Sequence, residues 1–291
     1  MAPLIALIAF VVIPCTLAYA LRPSNNNARI TVTTQWRAVL AVRVATALAG
    51  IAAAVLIMNT LPLGAGLFAI PGTIGAFIML GIALGESVIR PTPTTRTASS
   101  TPRNMRGFLP PALTWVTLIM AVIALATGTF TTLTATADDM GRAGRALTET
   151  CGPLSSTRSP YPGWYYTGPA LIGLILAVVC AALALAVVTR RARGFTTQPG
   201  ADNALRHRSA TLIVVTLLAS IGITTVGVSA LAAMALTQMT DCDSSLGLRI
   251  TGWAFLASAA ATLVLLGWSI TTLRPVHSGQ PAALPSKDAR G

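Results

Sequence analysis

The sequence predicts an all-α membrane protein, a bundle of seven transmembrane helices with the N-terminus outside and the C-terminus in the cytoplasm. Three observations lead to this prediction. Hydrophobic residues make up 54% of the 291 residues and charged residues only 10%, whereas soluble domains carry about 25% charged residues. The apolar residues form seven long runs, and the arginines are concentrated in alternate connections between those runs.

Each apolar run is near the length of about 20 residues that a helix needs to cross the hydrocarbon core of a bilayer. The seven predicted segments are 3–21, 38–58, 67–89, 112–134, 169–189, 211–236 and 250–273. Only two of the 28 Lys, Arg, Asp and Glu residues lie within them, namely Arg43 and Glu86. Residues 1–274 are therefore predicted to form one transmembrane domain, and the Pro-containing residues 275–291 a disordered cytoplasmic tail.

The distribution of cations predicts the orientation. Fifteen Lys and Arg residues lie in the connections on one side of the predicted bundle, against four on the other side. The cation-rich connections are 22–37, 90–111, 190–210 and 274–291. Because Lys and Arg collect in short cytoplasmic loops, these four are expected in the cytoplasm. The net charge of +12 then reflects topology and attraction to anionic lipid headgroups, and no nucleic-acid partner is expected.

The first segment also resembles a secretory signal, because Ala18-Tyr19-Ala20 follows an apolar run. No positive charge precedes that run, whereas Arg22 and Arg29 follow it. Cleavage before Leu21 leaves six spans and places the arginine-rich loops outside, against the charge bias. An uncleaved first helix is therefore the favoured interpretation.

The longest outer loop, 135–168, contains two candidate features. Residues 137–150 are expected to form a short surface helix, with Asp138 and Asp139 near its positive N-terminal end. Four aromatic residues then precede the fifth segment, namely Tyr161, Trp164, Tyr165 and Tyr166. This cluster favours a belt at the outer membrane interface, and the alternative is that it lines an extracytoplasmic binding cleft.

The cysteines suggest one disulfide and no metal site. Cys151 and Cys242 each lie in an outer loop, on the oxidising side where disulfides persist. We therefore hypothesise a Cys151–Cys242 bond, with two free thiols as the alternative. Cys15 and Cys180 lie in predicted spans as small apolar packing residues. Neither outer loop contains His or a regular ligand spacing, so no metal is expected.

Arg43 and Glu86 are the two charges within the predicted spans, and both lie near the cytoplasmic boundary. Since their helices form a short antiparallel hairpin, we expect them to form an ion pair or to extend towards the headgroups. The alternative is that Glu86 binds a proton or a substrate, because ionisable residues within spans are functional candidates. In the same segment, Pro71-Gly72 is expected to kink the helix, and Gly81 and Gly85 allow close packing.

The sequence lacks the residues that several enzymatic and cofactor-binding activities require. Both histidines, His207 and His277, lie in predicted cytoplasmic segments, and no P-loop or dinucleotide-binding glycine motif occurs. The one lysine, Lys287, lies in the tail, so no retinal Schiff base is expected in a span. The sequence therefore predicts neither an enzyme nor a cofactor.

Two short patches resemble uncharacterised multi-pass membrane proteins of high-GC Gram-positive bacteria. They are Arg96-Thr97-Ala98, Pro102-Arg103, Arg106 and Leu109-Pro110, and then Pro162-Gly163-Trp164-Tyr165-Tyr166. The use of nineteen arginines against one lysine is similar to that group. The resemblance implies the multi-pass helical layout and no particular activity.

The favoured function is a non-catalytic scaffold or subunit of an envelope complex in the cell membrane, because the predicted spans contain almost no polar chemistry. One alternative is a small-molecule transporter or permease subunit that uses segment 67–89 with Glu86 and Arg43. A further alternative is an extracytoplasmic sensor that binds its ligand at the aromatic cluster.

Overall fold

The computed structural model describes residues 33–88, 107–191, 199–239 and 245–273. Six long helices lie within these ranges: α1 (Thr33–Thr60), α2 (Ile70–Val88), α3 (Pro111–Thr134), α4 (Trp164–Arg190), α5 (Pro199–Thr237) and α6 (Ser245–Thr271). Each is long and apolar enough to span a membrane. Helices at these six predicted places are therefore confirmed, whereas the segment 3–21 and the tail 275–291 lie outside the described residues.

The helices alternate in direction, so the bundle has two distinct ends. We call the end where α1 begins and α2 finishes the arginine end, because Arg37, Arg191 and Arg206 lie there. The opposite end contains the connection between α3 and α4, and we call it the hairpin end.

Two helices form the centre of the bundle. In the most apolar stretches of α2 and α5, 72% and 89% of the positions are buried, against 22–33% in the other four helices. α2 packs against α1, α4 and α5, while α5 packs against α2, α3, α4 and α6. The outer helices leave large apolar side chains exposed, such as Val122, Ile172 and Val264, which suits contact with lipid.

Glycines bring the outer helices close to α2. A Cβ atom added to Gly72 would lie only 2.3 Å from the backbone of Gly173 in α4, and one added to Gly81 would lie 2.1 Å from the Thr46 hydroxyl in α1. Small residues permit such close helix packing within membranes. These contacts bring α1 and α4 against the same central helix.

The expected kink at Pro71 is wrong. Pro71 is the second residue of α2, where the missing N–H group has no helical partner to lose, so proline is tolerated there. The direction of the chain changes earlier, in a 3-10 helix at Pro62–Phe68. Leu63 and Gly64 have left-handed φ values of 57° and 77° within it.

The surface helix expected at 137–150 is also wrong. Gly141 and Gly144 have positive φ values of 75° and 72°, which a right-handed helix does not accommodate. Strands β1 (Leu147–Cys151) and β2 (Leu154–Arg158) follow as an antiparallel hairpin. Gly152, with a φ of 61°, begins its two-residue turn, the position at which such turns favour glycine.

Candidate functional site

A buried polar cluster surrounds Glu86, near the end of α2. Glu86 is 3% exposed. Its Oε1 atom accepts hydrogen bonds from Arg43 Nη2 of α1 at 3.3 Å and from Ser209 Oγ of α5 at 2.7 Å. Its Oε2 atom accepts a hydrogen bond from Nη1 of Arg191, the residue that follows α4. One carboxylate therefore joins four helices, and we call these four residues the carboxylate cluster.

Local packing explains how Arg43 reaches the carboxylate. A Cβ atom on Gly85 would lie 3.3 Å from Arg43 Nε and 3.1 Å from a methyl group of Val39. The absence of a side chain at Gly85 therefore leaves space for the Arg43 guanidinium beside α2. The structure brings the predicted pair Arg43 and Glu86 together, and it adds two partners that the sequence analysis did not identify.

Arg206 supports the carboxylate cluster through hydrogen bonds to the backbone at the end of α4. It is 1% exposed, and it donates hydrogen bonds to the carbonyl oxygens of Thr189 at 3.2 Å and Arg191 at 2.8 Å. The last carbonyl groups of a helix have no partner within the helix, and a cation is favourable there. Arg206 thus caps the end of α4 and positions the backbone of Arg191 beside Glu86.

Arg191, Arg206 and Ser209 lie in the connection 190–210, which the sequence predicts to be a cytoplasmic loop. α5 begins at Pro199, twelve residues before the predicted segment, because Ala, Leu and Arg in this stretch favour a helix although they are not all apolar. This extension places Ser209 and Arg206 on a buried helical face. Both residues are more than 100 positions from Glu86 along the chain, so their spacing in the sequence does not predict that they lie near it.

The geometry of the carboxylate cluster suits a structural role. Both carboxylate oxygens are occupied by donors from the protein. Removing one partner of a buried ion pair leaves a charge without compensation, which costs about 3–5 kcal/mol. Among the described residues, no group of three His, Cys, Asp or Glu side chains is placed to hold a metal ion.

A second ionic cluster lies at the hairpin end. Asp138 Oδ2 accepts hydrogen bonds from Arg142 Nε at 2.9 Å and Arg145 Nη1 at 2.7 Å. Arg145 Nη2 donates to the Tyr166 hydroxyl at 3.2 Å, and its guanidinium carbon lies 5.0 Å from the centroid of the Tyr165 ring. Burial opposes the charge on Arg145, but the hydrogen bond to Tyr166 together with the attraction of Tyr166, Asp138 and Tyr165 outweighs it, so the pKa of Arg145 is raised. These contacts join the loop after α3 to the first turn of α4.

The four aromatic residues separate into two groups, which differs from the predicted interfacial belt. Trp164 is 63% exposed and suits the interface, whereas Tyr161 and Tyr166 are buried. The Tyr161 hydroxyl lies 2.7 Å from Thr134 Oγ1, and Tyr165 donates to the carbonyl oxygen of Pro62. Burial raises the pKa of Tyr161. The tyrosines therefore attach the hairpin end to the helices.

The hypothesised disulfide is not tested. Cys151 ends β1, whereas Cys242 lies outside the described residues. The Cys151–Cys242 bond therefore stays a prediction from the sequence.

No protein-family model, curated protein or solved structure matches the chain. The resemblance to multi-pass membrane proteins of high-GC Gram-positive bacteria therefore stays a prediction.

The adjacent arginines at the end of α4 give a matched test of the carboxylate cluster. Arg191 is buried against Glu86, whereas Arg190 is exposed. We expect Arg191→Gln to lower the free energy of unfolding in detergent by about 3 kcal/mol, because it breaks a buried ion pair. Arg190→Gln should change it by no more than about 0.5 kcal/mol. Equal losses in the two variants would contradict the role of Arg191.

Asp138 gives a test that depends on pH. Burial favours its neutral form, but the hydrogen bonds from Arg142 and Met140 together with the positive charge of Arg142 outweigh this effect, so the pKa of Asp138 is lowered. A carboxylate with a lowered pKa in the folded state stabilises the protein above its unfolded pKa, and this contribution is lost as the pH falls through the folded value.

The wild type should therefore unfold at a higher temperature than Asp138→Asn at neutral pH, and the difference should shrink as the pH falls below about 4 and disappear below the lowered pKa of the folded state. Asp139→Asn is the control, because Asp139 is the exposed neighbour. A difference that grows in acid, or one that Asp139→Asn reproduces, would refute this interpretation.

Proposed function

We propose that the chain is a multi-pass protein of the cell membrane that acts by association, as a non-catalytic scaffold or subunit of an envelope complex. The carboxylate cluster is the observation that carries this proposal. Glu86, the buried acid of the described spans, accepts hydrogen bonds from residues of, or adjoining, three neighbouring helices. These hydrogen bonds therefore stabilise the packing of the bundle. A rigid bundle with apolar outer faces is suited to hold other membrane proteins in place.

The transporter alternative requires Glu86 to bind a substrate or to exchange a proton during a change of helix packing. Such a movement has to separate Glu86 from Arg43, Arg191 and Ser209, which belong to or adjoin three other helices. Transporters also place their sites near the middle of the membrane, whereas Glu86 lies two residues before the end of α2. Both points favour the scaffold.

The proposal includes the topology. Segment 3–21 forms a seventh span, the N-terminus is outside, and the arginine end faces the cytoplasm. The described cations support this orientation. Six arginines lie towards the arginine end, namely Arg37, Arg43, Arg190, Arg191, Arg206 and Arg208. The described hairpin end has four, namely Arg142, Arg145, Arg158 and Arg249, and a smaller number of Lys and Arg residues is expected on an outer side.

Association is tested by native mass spectrometry of the full chain extracted from its own membrane in a mild detergent. We expect a complex of fixed stoichiometry with at least one other protein, because a scaffold has no function alone. The complex should persist in the fraction of Glu86→Gln protein that still folds. The free chain as the sole species, or a folded Glu86→Gln protein that loses a transport phenotype, would contradict the scaffold.

The orientation is tested with single cysteines in a background that lacks the four native ones. Ser155→Cys in the hairpin and Asn203→Cys near the start of α5 are a matched pair, because both positions are exposed. A membrane-impermeant maleimide should label Ser155→Cys on intact cells, and Asn203→Cys only after permeabilisation. The reverse pattern would overturn the proposed topology.

A further inference from the structure

A cavity of about 220 Å³ lies near the hairpin end, separate from the carboxylate cluster. Its walls come from the 3-10 helix and the start of α2, from the first turn of α4, and from one face of α5. Phe68 and Tyr166 form one side, and their rings meet edge to face with centroids 5.6 Å apart. Ile223 and Leu231 of α5 form the opposite side.

The lining of this cavity selects an apolar ligand. None of the residues that line it is charged. The Tyr166 hydroxyl already accepts a hydrogen bond from Arg145, and the Thr224 hydroxyl donates to the carbonyl oxygen of Ser220 at 2.9 Å. The remaining donor of Tyr166 and the remaining acceptor sites of Thr224 are few beside the apolar side chains of the lining, so a ligand with many polar groups would lose more hydrogen bonds to water than it gains, which is unfavourable.

The dimensions of the cavity match part of a hydrocarbon chain. Its α5 wall extends from Ile223 to Leu231, or about 12 Å at a rise of 1.5 Å per residue. One leaflet of a bilayer has a hydrocarbon thickness of about 15 Å. The volume of about 220 Å³ exceeds the roughly 150 Å³ of an engineered apolar cavity in another protein that takes up benzene.

The opening of the cavity faces outwards at the turn between α1 and α2. Leu63 belongs to the lining and is nevertheless 51% exposed. Its left-handed φ of 57° is uncommon for a residue with a Cβ atom. Leu63 therefore joins the exposed surface of the described bundle to a lining whose deeper residues, such as Phe68 and Ile223, are buried.

We propose that this cavity binds a hydrocarbon chain of a membrane lipid. The bound chain lies along α5 and contacts Phe68, Tyr166 and Ile223. Because Tyr166 is bonded to Arg145, and Arg145 to Asp138, an occupied cavity also stabilises the connection at the hairpin end. A ligand that binds the folded protein alone raises its stability.

The proposal is tested by photolabelling the full chain in nanodiscs made from a phospholipid with a diazirine in one acyl chain. Adducts are mapped by mass spectrometry. We expect several-fold more adducts at Phe68 and Ile223 than at Ile213 and Leu218. These four side chains are all buried, but only the first two line the cavity, so burial alone does not explain a difference.

Two filling variants test whether the cavity is responsible. Leu67→Trp and Gly227→Val each place additional volume against the lining, and either should return the adducts at Phe68 and Ile223 to the level of Ile213. Leu118→Trp on the exposed face of α3 is the matched control and should leave the labelling unchanged. Two filling variants are used so that the test can still be made if one of them does not fold.

Three outcomes would overturn the proposal. They are equal labelling of the four buried residues in the wild type, labelling that a folded filling variant does not reduce, and labelling by a small free diazirine but not by the phospholipid. The last result would assign the cavity to a free apolar molecule. None of these outcomes bears on the proposed association, which is measured separately.

Discussion

A buried charge has to find compensation within the protein, because the membrane interior supplies neither water nor mobile ions to solvate it. Glu86 is 3% exposed, and the arrangement of the arginine end follows from this constraint. Arg43, Arg191 and Ser209 supply its donors from or beside three different helices. The hydrophobic effect does not favour contact between helices over contact with lipid. The hydrogen bonds to Glu86 therefore select one specific arrangement of the helices.

The packing around α2 makes this arrangement possible. Gly72 and Gly81 admit α4 and α1 at distances that a side chain would block, so the donors on both helices reach the same carboxylate. At the opposite end, Arg145 links Asp138 to Tyr166 in a similar way. The two ionic clusters therefore hold the two ends of a bundle whose middle is packed by apolar side chains, glycines and buried Ser and Thr residues such as Thr216, Ser220 and Thr225.

Much of the fold could be predicted because long apolar runs leave the chain one favourable choice, the membrane-spanning helix. Each of the six described helices contains most or all of a predicted run, although α5 begins twelve residues before its run. The structure of the hairpin end does not follow from the pattern of residues 137–150, because the positive φ values of Gly141 and Gly144 are incompatible with a helix there. The turn at Gly152 was also not predicted from the sequence. The ion pair of Arg43 with Glu86 followed from their similar depth. Arg191 and Arg206 could not be identified, because nothing in a loop sequence indicates which arginine folds inwards.

The carboxylate cluster is tested most directly by a double-mutant cycle in reversible unfolding of the full chain. Glu86→Gln and Arg191→Gln are measured singly and together. If the two side chains stabilise the bundle through each other, the double variant loses less stability than the sum of the single variants, by about 1 kcal/mol or more. Losses that add to within about 0.5 kcal/mol would show that the two side chains act independently, and would contradict the account.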